Sequence, residues 1–182
     1  MAVPPRKSEP RRALTENEIL DVALALLDTG GPEAATIRRI AAAVGAAPST
    51  VYTYFPKQAA VSYALVDRLL GEVGPAIATT GPATWQQDVE ALATGLRARL
   101  GAHPGALPLL LSVPLTGPNA LELSERLLDL MAGAGLKDED AARGSHLIKM
   151  YVLGAVVLDT GPEEFRWGLR RVLVGLSAPE LN

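Results

Sequence analysis

The chain has 182 residues, 48% of them apolar and 20% charged, with a net charge of −3; that is enough apolar material for a packed core and too little net charge for a disordered chain. It holds no Cys and only two His, His103 and His146. Disulfides, thiolate metal sites and Cys nucleophiles are therefore excluded, and little remains for a His-based metal centre, so neither a metal nor another cofactor is expected.

Ala and Leu number 29 each against eight aromatic residues, which predicts an all-α fold. At the N-terminus, residues 1–12 carry Arg6, Lys7, Arg11 and Arg12 against Glu9 alone. This basic stretch, taken as a flexible arm over residues 1–14, has no apolar run after it and does not read as a secretory signal. The longest clean apolar run, Tyr151 to Leu158, is far shorter than the ~18 residues of a membrane span. A cytoplasmic protein with no membrane partner is expected. Residues 1–70 hold eight basic and seven acidic side chains, and residues 71–182 hold nine and thirteen. A basic arm ahead of an acidic body points to an anionic partner held at one end; a solvated tail is the plain alternative.

Thr15 is an N-cap for a first helix, with Glu16 and Glu18 in its first turn. Ile19, Val22, Ala23, Leu26 and Leu27 give its apolar face, and Gly30-Gly31-Pro32 stops it. A short second helix is predicted over 38–44, with Thr36 as cap and Ile37, Ile40, Ala41 and Val44 apolar. Gly45 stands where the chain needs a positive φ to turn. A third helix starts near Pro48 and Ser49. Pro56 fits the N1 position of a fourth that runs to about Val73. Gly74-Pro75 and Gly81-Pro82 mark a boundary near residue 75, separating domains over 15–74 and 75–178. Beyond it, helical patterns cover 85–100, 119–132, 138–159 and 163–176, with a Pro-punctuated apolar segment over 104–114.

Two short helices around Gly45 form a helix-turn-helix. Ala41 and Ala42 let the first lie across the second, and Val44 and Val51 point inward. That leaves Ser49, Thr50, Thr53 and Tyr54 exposed as groove-sized hydrogen-bonding side chains. Arg38 and Arg39 open the second helix, within reach of phosphate or a guanine edge.

Residues 15–70 resemble the DNA-binding domain of the tetracycline-repressor (TetR) family. The matching pieces are Ile19-Leu20, Ala23-Leu24, Leu27, Gly30 and Thr36-Ile37-Arg38-Arg39-Ile40-Ala41. They continue through Val44-Gly45, Ser49-Thr50-Val51-Tyr52-Thr53-Tyr54-Phe55 and Val61. The resemblance implies that Thr50, Thr53 and Tyr54 face bases or the groove wall, that Tyr52 bonds a phosphate and that Arg38 approaches a base edge. One position departs from it. Where the family usually has a phosphate-contacting Lys, this chain has Gln58, with Lys57 one residue earlier. Either Lys57 reaches the phosphate from there or the contact is absent.

A weaker resemblance to the tetracycline-repressor ligand-binding domain runs through Trp85, Leu100, His103-Pro104, Pro114, Gly117-Pro118-Asn119, Ala134-Gly135-Leu136, Tyr151 and Gly154. Leu110 and Gly74 fall where drug-contacting His residues would sit, which argues against a tetracycline–magnesium ligand. Leu107, Leu110, Leu111, Leu127, Met131 and Met150 line an apolar pocket or fill a solid core; spacing alone does not separate the two, and the resemblance favours a pocket. His103 and His146 complete that candidate set, against a capping or surface role for the first and core-edge packing for the second. Trp85 and Trp167, near helix starts, are read as helix anchors. Asp138, Glu139 and Asp140 read as a helix N-terminal cluster rather than a metal site.

The last two helices are apolar around most of their circumference and must be buried on more than one side. Leu147, Tyr151, Gly154 and Ala155 on one, with Leu169, Val172, Leu173 and Leu176 on the other, are the candidate seam of a homodimer; burial within one chain is the alternative. The sequence shows no nucleophile–base pair, metal-ligand spacing or phosphate loop, so an enzyme is not expected. The expectation is an all-α homodimeric repressor. It has an N-terminal helix-turn-helix domain for a double-stranded DNA operator and a C-terminal helical domain for an unidentified small apolar effector and for dimerisation. The alternative is a regulator with a closed core that answers to a protein partner.

Overall fold

The computed structural model describes residues 13–71, 84–133 and 135–177. Residues 1–12 of the arm, the boundary near residue 75 and the end of the fourth helix near Val73 lie outside the described residues; at the arm's described end Leu14 is half-buried and its carbonyl accepts from the Tyr54 hydroxyl.

The α-helices in chain order are α1 (Glu16–Gly30), α2 (Ile37–Ala43), α3 (Pro48–Tyr54), α4 (Gln58–Gly71), α5 (Trp85–Gly101), α6 (Leu107–Ser112), α7 (Pro118–Gly133), α8 (Asp138–Val157) and α9 (Pro162–Leu176). Single 3-10 turns at Pro32–Ala34 and Pro104–Ala106 precede α2 and α6. The described residues contain no strand.

The caps follow from the residues. Thr15 Oγ1 accepts the Glu18 N–H at 3.2 Å while the Glu18 carboxylate accepts the Thr15 N–H at 2.9 Å, a reciprocal capping box. Thr36 Oγ1 accepts the Arg39 N–H at 3.3 Å and starts α2. The fourth helix corrects the expectation for Pro56. Phe55 is buried and extended, and Pro56 and Lys57 bend around it. The first hydrogen-bonded turn then begins at the Lys57 carbonyl, which accepts the Ala60 N–H at 2.9 Å.

Helices α1–α4 form a head and α5–α9 a body, and one continuous apolar core runs through both. In the head it takes Ile19, Leu27, Ile40, Val51 and Leu65; in the body Leu92, Leu127, Met131, Ile148, Phe165 and Leu169. Burying each such large side chain contributes about 1.5–3 kcal/mol. In the body α5 packs against α7, α8 and α9. Tyr151 of α8 stacks on Phe165 of α9 with ring centroids 5.4 Å apart and donates to the Phe165 carbonyl at 2.9 Å; burial pushes its phenol above its ordinary pKa. Arg97 of α5 donates to the Thr160 carbonyl and lies over the Phe165 ring, tying the α8–α9 turn to α5.

This packing removes three residues from the candidate dimer seam. Ala155, Leu169 and Leu173 are core residues, because α8 and α9 turn that side onto α5. Leu147 is exposed, and Tyr151, Gly154, Val172 and Leu176 are half-buried. The outer side carries further apolar residues: Met150 and Val157 on α8, Leu158 just past its end, and Trp167 and Val174 on α9. Trp167 is not a buried helix anchor; it is 65% exposed, with the Arg171 guanidinium over its ring.

Candidate nucleic-acid interface

Gly45 makes the turn between α2 and α3 possible. Its φ is +69°, a backbone conformation that costs other residues energy. The neighbouring Ala46 N–H closes onto the Ala41 carbonyl at 2.9 Å. Pro48 then opens α3 in the position where its missing N–H costs nothing. Val51 is fully buried and locks α3 inward, together with Ala41 and Ile40 of α2. Ala42 does not share that contact. It is exposed, so Ala41 alone supplies the small residue at the crossing, and Val44 is half-buried.

With Val51 inside, the opposite side of α3 faces outward. Ser49, Thr50, Tyr52 and Thr53 are all exposed there. Thr53 Oγ1 donates to the Ser49 carbonyl at 3.1 Å, which fixes its rotamer. Arg38 and Arg39 are exposed in the first turn of α2, and Lys57 is exposed in the bend before α4. Between Glu33 and Asp67 the chain has these three cations and no carboxylate. The outer face of α2–α3 therefore offers exposed hydroxyls beside Arg38 and Arg39, in a stretch of sequence whose charged side chains are all basic, which suits a polyanion.

Tyr54 stands apart from this face. It is half-buried and its hydroxyl donates to the Leu14 carbonyl, so it fastens the segment before α1 to α3 and does not point toward a groove. Gln58 has a role that spacing did not reveal. Its Oε1 accepts the Ile37 N–H at 2.9 Å and its Nε2 donates to the Ala35 carbonyl at 2.7 Å. One amide thus pairs two backbone groups at the start of α2, which a Lys there could not do because it has no acceptor.

The candidate effector residues are not brought together. Leu110, Leu127 and Met131 are buried in the continuous core, and Leu107 is half-buried against it. Leu111 and Met150 are 64% and 52% exposed, and His146 is exposed on α8, so these three are neither pocket nor core-edge residues. They fall on the outer sides of α6 and α8, whose inner sides are taken by Leu110 and Ile148. His103 turns back toward the head, with Nδ1 2.7 Å from Asp28 Oδ2 of α1. An open groove of about 590 Å³ lies between α4 and α6, lined by Lys57, Ala60, Tyr63, Leu109 and Val113 among others. Among the described residues, no group of three or more His, Asp or Glu side chains could hold a metal ion, and no helix is long and apolar enough to cross a membrane.

Among the described residues, a head of helices α1–α4 with a helix-turn-helix, set on a body of helices α5–α9, is the architecture of one class of bacterial regulators. Residues 19–62 match the model of bacterial regulatory proteins of the tetR family, and residues 78–173 match that of the tetracyclin repressor-like C-terminal domain. The chain belongs to the tetracycline-repressor family. It is 31% identical over 153 residues to an HTH-type transcriptional regulator of Saccharopolyspora erythraea, covering 84% of this chain and 64% of that one. It is 30% identical over 146 residues to the HTH-type transcriptional repressor DrrR1 of Streptomyces coeruleorubidus, covering 80% and 54%. The chain thus spans about half to two thirds of the length of these relatives. A crystal structure of a possible TetR family transcriptional regulator from Streptomyces coelicolor A3(2) superposes with a TM-score of 0.79 at 25% identity, covering 89% of this chain and 98% of that one.

Proposed function

We propose that this chain is a DNA-binding transcriptional repressor that acts as a homodimer. In this reading two heads, one from each copy, enter successive major grooves of a palindromic operator. A small apolar molecule in the body favours a conformer in which the heads are wrongly spaced, and its effect equals its difference in affinity for the two states. The observation that carries the reading is the outer face of α2–α3, where Ser49, Thr50, Tyr52 and Thr53 stand exposed between Arg38, Arg39 and Lys57 with no carboxylate among them. Hydroxyl and amide donors position a protein on phosphate, and Arg reads base edges. The outer sides of α8 and α9 support the dimer: Leu147, Tyr151, Gly154, Val172 and Leu176 stay in the contacting set, and Met150, Val157, Leu158, Trp167 and Val174 take the place of the buried Ala155, Leu169 and Leu173.

The test is selection of duplexes from a random pool, followed by binding isotherms on the enriched site. The wild-type chain is expected to enrich a palindrome. Arg38→Ala and Tyr52→Phe are expected to weaken binding to it. No enrichment overturns the reading, and wild-type affinity in both variants overturns the site. A regulator with a closed body is the second reading, favoured by the close packing around Leu110, Leu127 and Met131. Release of the bound operator by a small apolar compound decides against it.

A further inference from the structure

Head and body meet at two places: α1 rests on the 3-10 turn at Pro104–Ala106, where His103 Nδ1 lies 2.7 Å from Asp28 Oδ2, and α4 runs from the head into the body against α7. The first residue of α4, Gln58, is bonded to the start of α2, and the far half of α4 is buried at Val66, Asp67, Leu69 and Leu70. Asp67 is the exception in that apolar set: a carboxylate 9% exposed, on the side of α4 that meets α7. It is fully occupied there. Oδ1 accepts the Ala120 N–H at 3.0 Å, and Oδ2 accepts the Asn119 Nδ2 at 3.0 Å and the Asn119 N–H at 3.3 Å.

The two backbone donors belong to the first turn of α7, which begins at Pro118. A helix start leaves such N–H groups unpaired, and the residue before it usually supplies a side-chain acceptor. Here that residue is Gly117, which has none. Asp67 performs the capping from another helix, and the positive end of α7 favours its charge. Gly117 also makes room for it, because a Cβ there would stand 2.1 Å from Asp67 Oδ1. One turn further along α4, a Cβ on Gly71 would stand 2.4 Å from the Asn119 side chain. The end of α4 and the start of α7 are therefore fitted to each other at two successive turns, with a buried charge at the centre.

We propose that Asp67 is a positioning residue for operator recognition: by capping α7 from α4 it fixes the angle at which the head is carried on the body. Coulomb attraction to the α7 N-terminus and three hydrogen bonds specify one orientation, whereas the surrounding Val66, Leu69 and Leu70 contacts are non-directional. A carboxamide of the same shape keeps the volume, loses the charge and turns a donor toward donors. The head then samples more than one orientation. The consequence for DNA rests on the proposed function above; the consequence for orientation does not.

The chain has no Cys, so Ala25→Cys on α1 and Asp129→Cys on α7, both exposed, provide a unique pair of spin-label sites. The full chain, diluted with unlabelled chain, is measured by pulsed electron–electron double resonance. Wild type is expected to give one narrow head-to-body distance distribution, and Asp67→Asn a broadened or divided one. Operator binding is expected to weaken about tenfold if the competent orientation falls to about a tenth of the population. Val152→Ala, a cavity in the body core away from this junction, is the control for simple loss of stability and is expected to keep the narrow distribution. A wild-type distribution in folded Asp67→Asn overturns the proposal, and so does equal broadening in Val152→Ala. If Asp67→Asn does not fold, Asn119→Ala removes one of the three bonds and is expected to give a smaller broadening; no broadening overturns the proposal. A wild-type chain that binds no DNA overturns the functional reading and leaves the distance result standing.

Discussion

The outer face of α2–α3 and the outer faces of α8 and α9 are both exposed in the single chain, yet they are built from opposite materials. The first presents hydroxyls and three cations from a stretch of sequence that holds no acid. The second presents Leu147, Met150, Val157, Leu158, Trp167 and Val174, with Arg166, Arg170 and Arg171 exposed beside the last two. A charged and hydrated partner suits the first, since neutralising phosphates releases counterions and needs no dry contact. The second gains mainly by excluding water from its large apolar side chains, so it suits an apolar surface of matching shape. The difference also separates their tests: binding at the head should depend steeply on salt, and association through the α8–α9 face should depend on it less.

The largest effect is expected from placing charge on the dry face. Leu147 and Met150 lie one turn apart on the exposed side of α8. Leu147→Glu with Met150→Glu should leave the chain folded, because neither side chain is in the core. Sedimentation should then give a monomer, and operator binding should weaken about 10²–10⁴-fold as the two heads lose their linkage. A variant that still sediments as a dimer moves the seam elsewhere. Leu169→Ala sharpens the same distinction from inside. Leu169 is fully buried within one chain, so its truncation should cost about 2–5 kcal/mol in denaturant unfolding, with no specific loss of self-association. At the head, Arg38→Ala should cost about 1–3 kcal/mol and relax the choice of base at one position of each half-site. Lys57→Ala should weaken all sequences alike and lower the salt slope by about one per protomer. Equal losses on cognate and random duplexes for Arg38→Ala would reassign it to phosphate.

These regions were not equally legible in the sequence. The head was readable because its signals are local: an N-cap at Thr15, a second cap at Thr36, a glycine with positive φ at Gly45 and a proline opening α3. Each fixes backbone conformation within a few residues, and the exposed face follows once Val51 is inside. The body was readable as helices but not as surfaces. Leu147, Ala155, Leu169 and Val174 belong to the same kind of apolar helical pattern, and which of them faces α5 depends on helix packing that periodicity does not encode. The same ambiguity scattered the candidate effector set, sending Leu110 and Met131 into the core and Leu111 and Met150 outward. Gln58 and Asp67 were missed because their partners are about 21–23 and 52–53 residues away. Asp67 had an indirect signal, since Gly117 followed by Pro118 starts a helix with no acceptor of its own. Tyr54 was misdirected because alternation along α3 does not register a carbonyl forty residues upstream, at Leu14.

The smallest effect tests where head architecture and DNA contact meet, at Gln58. The family resemblance puts a phosphate-contacting Lys at this position, while here the amide closes the start of α2 by accepting from Ile37 and donating to Ala35. Gln58→Lys exchanges one function for the other. The ammonium can still donate to the Ala35 carbonyl, but the Ile37 N–H loses its acceptor, and leaving such a group unpaired costs about 1–3 kcal/mol when buried. The site is only partly buried, so the lower end applies, and the melting temperature should fall by roughly 2–4 °C. The added charge should at the same time steepen the salt dependence of operator binding by about one per protomer. Loss of stability with an unchanged salt slope would mean that the backbone at position 58 lies too far from phosphate for any cation there to reach it. The shifted Lys57 would then be the residue that supplies the contact, and the amide at 58 could be retained for the head alone.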